Sequence, residues 1–408
     1  MATGTSATFR PVEPRHAALI QSLIYHARHR EASTYGLGLD EYARDEALEH
    51  PMAYSLYCRG MLALAKVTGD ARWRRSAVIA GSRLLELSSM DGGCAWGLPF
   101  SFRDLPPHHP YAITTALGCL SLTALARDPD GEAWLGASEE AAAWLAHDLP
   151  WTSTAEGSAP WYAPEDPRLT YNVTSMVAAA LSEAFEIHQQ SPLLDRAWLA
   201  ARYVLDGQHR TGCWRYGSEG EAEGPHSLAD SVVDLVHTSY VLDGLVTALA
   251  ASQRGGFPLP VGIADAISRG IDFIGRYLLS RRGFAHEKVV LVDAPEDEAA
   301  QLLFRDGLAR SPVRGGAWLV TFPAESRAWG YGAGMGALSR AVQIGFRNAD
   351  RPLDFLASRV LGSFMYDSGG RIPYRPGEPL YFPRHESHVF EGMAGCALTL
   401  MRPRRNPG

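Results

Sequence analysis

The chain has 408 residues, 46% hydrophobic and 20% charged, with a formal net charge of -7. That balance describes a globular protein with a large core and argues against a nucleic-acid-binding surface, since the one basic run is the tail Arg402-Pro403-Arg404-Arg405. No apolar run approaches the ~18 residues that span a bilayer, and the N-terminus has no basic region followed by an apolar core, so neither a membrane span nor a signal peptide is expected.

Five cysteines (Cys58, Cys94, Cys119, Cys213, Cys396) are scattered without a CxxC pair, which suits free thiols in a reducing, cytoplasmic setting. Lys66 and Lys288 are the only lysines, a bias of codon usage rather than of function.

In chain order, helix-like apolar spacing predicts helices over 15–30, 50–67, 71–89, 111–127, 133–148, 170–188, 192–207, 229–252, 262–281, 328–344, 351–366 and 386–402. Their links alternate in length. Short ones, such as Thr68-Gly69-Asp70, join antiparallel neighbours; long ones (31–49, 90–110, 149–169, 208–228, 282–327, 367–385) carry Gly, Pro and Trp. Twelve helices in six hairpins predict an all-α (α/α)6 toroid with every long loop on one face. Residues 1–408 would form one domain, with 1–14 and 403–408 as flexible ends. Closure requires the first and last helices to pack together.

Helices that follow long loops are rich in Gly, Ala and Ser ("TTALGCLSLTAL", "GAGMGALSRA", "GMAGCALTL"), as a crowded inner ring needs. Those beginning at 71, 133, 192 and 262 carry more charge and should face water. After several helices a glycine precedes an aromatic: Asp91-Gly-Gly-Cys-Ala-Trp, Thr211-Gly-Cys-Trp, Arg282-Gly-Phe and Ser368-Gly-Gly. A left-handed helix end followed by a ring returning to the core explains the pattern.

Aligning the inner helices by their small-residue cores puts Asn172, His237, His388 and the Trp329/Tyr331 pair at similar depth on the long-loop face. Asn172 and Asp230 can cap helices, whereas histidines cap poorly. Asp234 and His237 are three apart on one helical face, and a carboxylate beside an imidazole orients a general base. In "RHESHVFEG", His385, His388 and Glu391 share a face; an acid/base or anion-binding cluster is expected there rather than a metal. The long-loop aromatics Trp96, Tyr162, Trp214 and Tyr216 serve either as stacking surfaces or as plugs for loops crossing the toroid. Arginines among the loops (Arg103, Arg168, Arg215, Arg371, Arg375, Arg384) can clamp anions.

"CAWGLPFSF" (94–102), "WYAPEDPRLTYN" (161–172), "GCWRYG" (212–217) and "DLVHTSYVLDGL" (234–245) together resemble a poorly characterised α/α-toroid family. Its members occur among biosynthetic genes for surface polysaccharides and natural products, on a fold similar to terpenoid cyclases, prenyltransferases and six-hairpin glycosidases. The resemblance covers roughly 90–245 and marks Trp96, Pro99, Tyr162, Asp166, Asn172, Trp214, Tyr216, Asp234 and His237. Members more often carry an aromatic with Asp-Asn before the histidine, where this chain has Val233-Asp234-Leu235. The D-x-D-D acid of class II terpenoid cyclases is absent, as are zinc-ligand and P-loop motifs.

The expectation is therefore a metal-free, cofactor-free biosynthetic enzyme performing acid/base elimination, or internal substitution with an anionic leaving group, on a small polar or anionic substrate. Asp234, His237, His388 and Glu391 would carry the chemistry. Trp96, Tyr162, Asp166, Asn172, Trp214, Tyr216, Trp329, Tyr331, Arg375 and Arg384 would hold the substrate. A cytosolic hydrolase, lyase or epimerase of carbohydrates using carboxylates such as Asp166 and Glu391 is the alternative. A non-catalytic binding module, or the larger half of a complex with a small protein partner, is a third, in which the polar insert 284–312 serves as a docking loop as readily as a lid; a homodimer is the other association expected.

Overall fold

The computed structural model describes residues 14–89, 94–216, 232–293, 309–313, 317–322, 324–364 and 366–401. Asp230, the Asp91-Gly-Gly turn, residues 294–308 of the 284–312 insert, all but Pro14 of the expected flexible end 1–14 and the whole of 403–408 lie outside these residues.

Twelve α-helices stand among the described residues: α1 Pro14–His29, α2 Pro51–Thr68, α3 Ala71–Glu86, α4 Ala112–Ala126, α5 Leu135–Ala143, α6 Tyr171–His188, α7 Ser191–Asp206, α8 Leu235–Gly255, α9 Ile263–Phe273, α10 Ala328–Gln343, α11 Asp350–Ser363 and α12 Pro383–Leu400. The even-numbered helices pack side by side in chain order, and α12 returns to α2 to close an inner ring. The odd-numbered helices lie outside it, with α1 resting on α12. This is an (α/α)6 toroid.

Local chemistry makes the hairpins. At the tightest link Gly69 ends α2 in the left-handed region (φ 69°) and Asp70 caps α3 by accepting from the Arg72 amide at 2.9 Å. Outer helices α5 and α9 both end in a π turn, Trp144–Asp148 and Ile274–Leu278, before the chain leaves for the loop face. Small residues let the inner helices touch. A Cβ on Gly332 would lie 2.3 Å from the His388 backbone carbon, and one on Gly392 would lie 2.3 Å from the Gly332 carbonyl oxygen, so α10 and α12 meet backbone to backbone.

Ion pairs tie most of the ring together below the loop face. Arg340 on α10 donates to Asp243 on α8 at 2.7 Å and to Glu391 on α12 at 2.7 Å, and Arg59 on α2 reaches Glu391 at 3.2 Å. Farther round, Arg254 on α8 meets Glu183 and Glu186 on α6, and Arg127 at the end of α4 meets the same two acids.

Helix α8 is long and apolar enough by composition to cross a membrane, but 78% of that window is buried as inner-ring wall. Its start differs from the sequence expectation. Residues Val232–Asp234 form a strand, so the helix begins at Leu235 rather than 229. Long loops carry short strands: β1 Leu37–Gly38 with β2 Leu48–Glu49, β3 Trp151–Ser153 with β4 Ser158–Pro160, and a four-stranded antiparallel sheet. That sheet has the order β5 (Val232–Asp234), β6 (Lys288–Val292), β8 (Trp318–Thr321), β7 (Ala309–Pro312). The continuous, β-branched-rich apolar runs Val289-Val290-Leu291-Val292 and Leu319-Val320, buried on both faces, explain strands where only a polar loop was expected.

Candidate active site

Because each inner helix follows a long loop, all six inner N-termini open on the long-loop face. Asp234 sits at the end of β5 and caps α8 there. Its Oδ1 accepts from the His237 amide at 2.6 Å, and its Oδ2 lies 2.5 Å from His237 Nδ1. One carboxylate thus both caps the helix and orients the imidazole. Burial pushes the Asp234 carboxyl upward, but the His237 charge and hydrogen bonds outweigh it, aided by Arg327, and hold it below its ordinary value. An ionised acceptor at Oδ2 puts the proton on Nδ1 and leaves the lone pair on Nε2. The pair is open to solvent, with 31% of the His237 side chain and 18% of Asp234 accessible. The Tyr216 ring packs edge-on against His237 at 4.4 Å.

From that pair a circuit of side chains runs around the mouth of the toroid. Tyr216 hydrogen-bonds Tyr162, whose ring meets Tyr111 at 5.6 Å. Tyr111 donates to the Phe102 carbonyl at 2.7 Å, and Phe102 meets Tyr42 at 5.9 Å. The Arg384 guanidinium lies between Tyr42, at 5.3 Å, and Trp329, at 4.5 Å. Trp329 donates to the Tyr240 hydroxyl at 3.2 Å, and Tyr240 stands one turn below His237 on α8. Loops and helices from all around the ring contribute, so the circuit follows the loop-face end of the inner ring.

His388 lies beneath it and is spoken for. Its Nδ1 donates to the Arg384 carbonyl at 2.5 Å, which leaves Nε2 to accept from Tyr240 at 2.5 Å. Burial pushes its pKa down to about 3. It is a neutral support for Tyr240 and not an acid. Glu391 is one turn deeper, where Arg340 and Arg59 outweigh its burial and hold its carboxyl below the ordinary range. An acid clamped between two guanidiniums has no proton to give. The expected shared face of His385, His388 and Glu391 is correspondingly split: His385 Nε2 pairs with Glu41 at 3.2 Å, and the other two turn to Tyr240 and Arg340.

Trp96 and Trp214 are plugs rather than stacking surfaces. Each is fully enclosed and donates from Nε1 to the end of the preceding outer helix, Trp96 to Leu84 O at 2.7 Å and Trp214 to Val204 O at 2.8 Å. Trp151 does the same to Leu145 O at 3.0 Å with no glycine before it, so the structural repeat is the indole bond to the end of the outer helix. Tyr331 also turns away from the mouth, donating to Glu325 at 2.8 Å and packing on Phe364, the residue that follows α11. Asp166 sits in a turn gripped by Arg168. Asn172 is not the cap of α6; Thr170 holds that position, and the Asn172 Oδ1 is buried without a hydrogen-bond partner among the described residues.

Most loop arginines already hold acids. Arg384 is buried against Asp40 (2.9 Å) and Glu41 (3.2 Å), Arg371 pairs with Asp367, Arg215 with Asp293, and Arg375 reaches Glu378 at the surface. Sequence reasoning missed the rest of this network. Glu41 also accepts from Arg327 at 2.8 Å and from Tyr374 at 3.2 Å, and Arg327 binds Glu287. The acids Asp40 and Glu41 stand in the first long loop, outside the stretch that carried the resemblance. A lone "DEY" there gives no signal of its own. Tyr240 was legible, at i+3 from His237 on the same face.

No protein-family model matches the sequence, and neither does any curated protein. Solved structures match over nearly the whole chain. A possible GH105 family member from Salmonella enterica aligns at 12% identity over 97% of this chain and 96% of its own, with a TM-score of 0.62. An α-1,6-mannanase of family GH76 from a Salegentibacter species aligns at 9% identity over 94% and 99%, with a TM-score of 0.63. A cellobiose 2-epimerase from Bacillus thermoamylovorans aligns at 12% identity over 93% and 97%, with a TM-score of 0.61. These likenesses establish a shared six-hairpin toroid.

Proposed function

We propose that this protein is an enzyme that transfers a proton on a small polar, sugar-like substrate held at the toroid mouth. The observation that carries the proposal is the Asp234–His237 pair: a fixed tautomer, a part-exposed imidazole, and a tyrosine beside it. His237 takes a proton from carbon or from a nucleophile. Burial raises the Tyr216 phenol above its ordinary value, so it is protonated near neutral pH and can donate to a departing oxygen. Elimination fits this pairing, as does closure of a ring by an internal nucleophile that expels an anionic group. The first breaks a C–H and a C–O bond; the second breaks an N–H or O–H and a C–O bond while forming a bond to carbon.

Carbohydrate chemistry is supported by the neighbours on this fold, whose names include a mannanase and a cellobiose epimerase. Hydrolysis through two carboxylates is less favoured by the geometry. Asp234 is bonded to His237, Asp166 to Arg168 and Glu391 to Arg340, whereas a hydrolase needs one acid protonated and another free. Epimerisation by proton removal and return uses the same histidine and shares its test.

A panel of neutral sugars, sugar acids, sugar sulfates and sugar phosphates, incubated with the protein in D2O and followed by mass spectrometry, tests the reading. Deuterium uptake or loss of a leaving group is expected, and His237→Gln should abolish it. Turnover that survives His237→Gln at the wild-type rate overturns the assignment.

A further inference from the structure

We propose that Arg103 recognises an anionic group of the substrate remote from the reacting carbon, and so restricts the substrate to molecules bearing a carboxylate, sulfate or phosphate. The inference rests on the mouth being the active site.

Arg103 and Asp104 form the corner of a tight turn closed by pairing of Phe102 with Leu105. Both corner residues have positive φ, 52° and 65°. Glycine or asparagine ordinarily fills such corners, because a side chain in the left-handed region costs on the order of 1 kcal/mol. His108, in the same loop, also has a positive φ of 62°. Three of the four described non-glycine residues with positive φ therefore fall in this one loop, on the rim of the mouth. Strain concentrated in this way calls for a compensating use.

The strained turn sets the guanidinium over the rim aromatics, 5.6 Å from the Phe102 ring and 6.0 Å from the Tyr162 ring. Its charge is felt at Tyr162, Tyr216 and Asp166. Asp166 is taken by Arg168, and Arg103 has no ion-pair partner among the described residues. It is also exposed, so its planar fork of donors is accessible to an anion beside those rings. Tyr162 and Tyr216 stand between Arg103 and His237. An anion bound by Arg103 is thus kept away from the proton-transfer centre, while the intervening substrate lies across two tyrosines. Arg103 is then a specificity residue, acting on binding and leaving the chemical step alone.

The test uses D-glucuronate and its uncharged methyl ester as probes, with binding read by NMR on the labelled guanidinium of Arg103 and by calorimetry. Wild type should bind glucuronate at least about tenfold more tightly than the ester, the scale of one charge-assisted bidentate contact. Arg103→Gln should erase that preference. Arg103→Gly should erase it too while melting at or above the wild-type temperature, because glycine relieves the turn. Equal binding of acid and ester by wild type, or an undiminished preference in Arg103→Gln, overturns the inference. These readouts need no turnover. Loss of anion preference with His237→Gln still active would sink the proton-transfer reading alone, and the reverse outcome would sink this one alone.

Discussion

Replacing Asp234 by asparagine separates the two jobs of that side chain. Asparagine retains an oxygen for the His237 amide and is as good an N-cap as aspartate, so helix α8 should lose no more than a few tenths of a kcal/mol. The second oxygen becomes an amide donor facing His237 Nδ1. The imidazole must then accept at Nδ1 and carry its proton on Nε2, so the outward nitrogen can no longer act as a base. The same carboxylate-to-amide exchange costs about 10⁴ in kcat in the serine-protease triad, where tautomer inversion is the cause, and a loss of about 10³ to 10⁴ is expected here. Asp234→Ala adds loss of the cap, about 1 kcal/mol. Urea midpoints of the three proteins, set beside turnover of the substrate found in the panel, give both quantities. Near-wild-type turnover in Asp234→Asn would refute the tautomer argument, whatever the stability.

Three further outcomes follow from the same contacts. Trp96→Ala should cost about 3–5 kcal/mol in denaturant unfolding, yet leave kcat per folded molecule unchanged, because Trp96 packs on Gly118 and not at the mouth. Glu391→Gln should destabilise by about 3–5 kcal/mol, since Arg340 and Arg59 lose a buried counter-ion, while the pH profile of activity keeps its shape. The third concerns pH. Burial pushes His26, His50 and His388 down to about 3, 4 and 3, so the unfolded chain binds their protons first as pH falls below about 6.5, and stability drops. Glu386, raised by burial to about 7, acts oppositely between its unfolded and folded values. These four groups alone should give a stability gain of about 2–3 kcal/mol per pH unit on raising pH near 5.5, and His188, His209, His286 and His385, also lowered by burial, act in the same sense; a flat urea-midpoint profile would contradict it.

The ring was legible because its signals repeat. Glycine after a helix, an aromatic returning to the core and an alternation of short and long links recur down the chain, and each repeat reinforces the others. Tilt and depth were not legible. His237 and His388 look alike in sequence, each early in an inner helix; only packing shows that one imidazole is part-exposed while the other is buried and accepts from Tyr240. Glu391 follows His388 at i+3, yet Arg340 and Arg59 come from α10 and α2 to claim it, and nothing local announces such partners. Trp214 and Tyr216 are two residues apart, a spacing that regular extended alternation would put on one face, yet the first fills the core and the second packs on His237, so local pattern alone misplaces one of them.

The measurement that bears most directly on the central claim is the ¹⁵N spectrum of the His237 imidazole in its neutral form. The Asp234 contact predicts a proton on Nδ1 and a free lone pair on Nε2, with the two signals exchanging roles in Asp234→Asn. A neutral His237 carrying its proton on Nε2 in the wild-type protein would contradict the account.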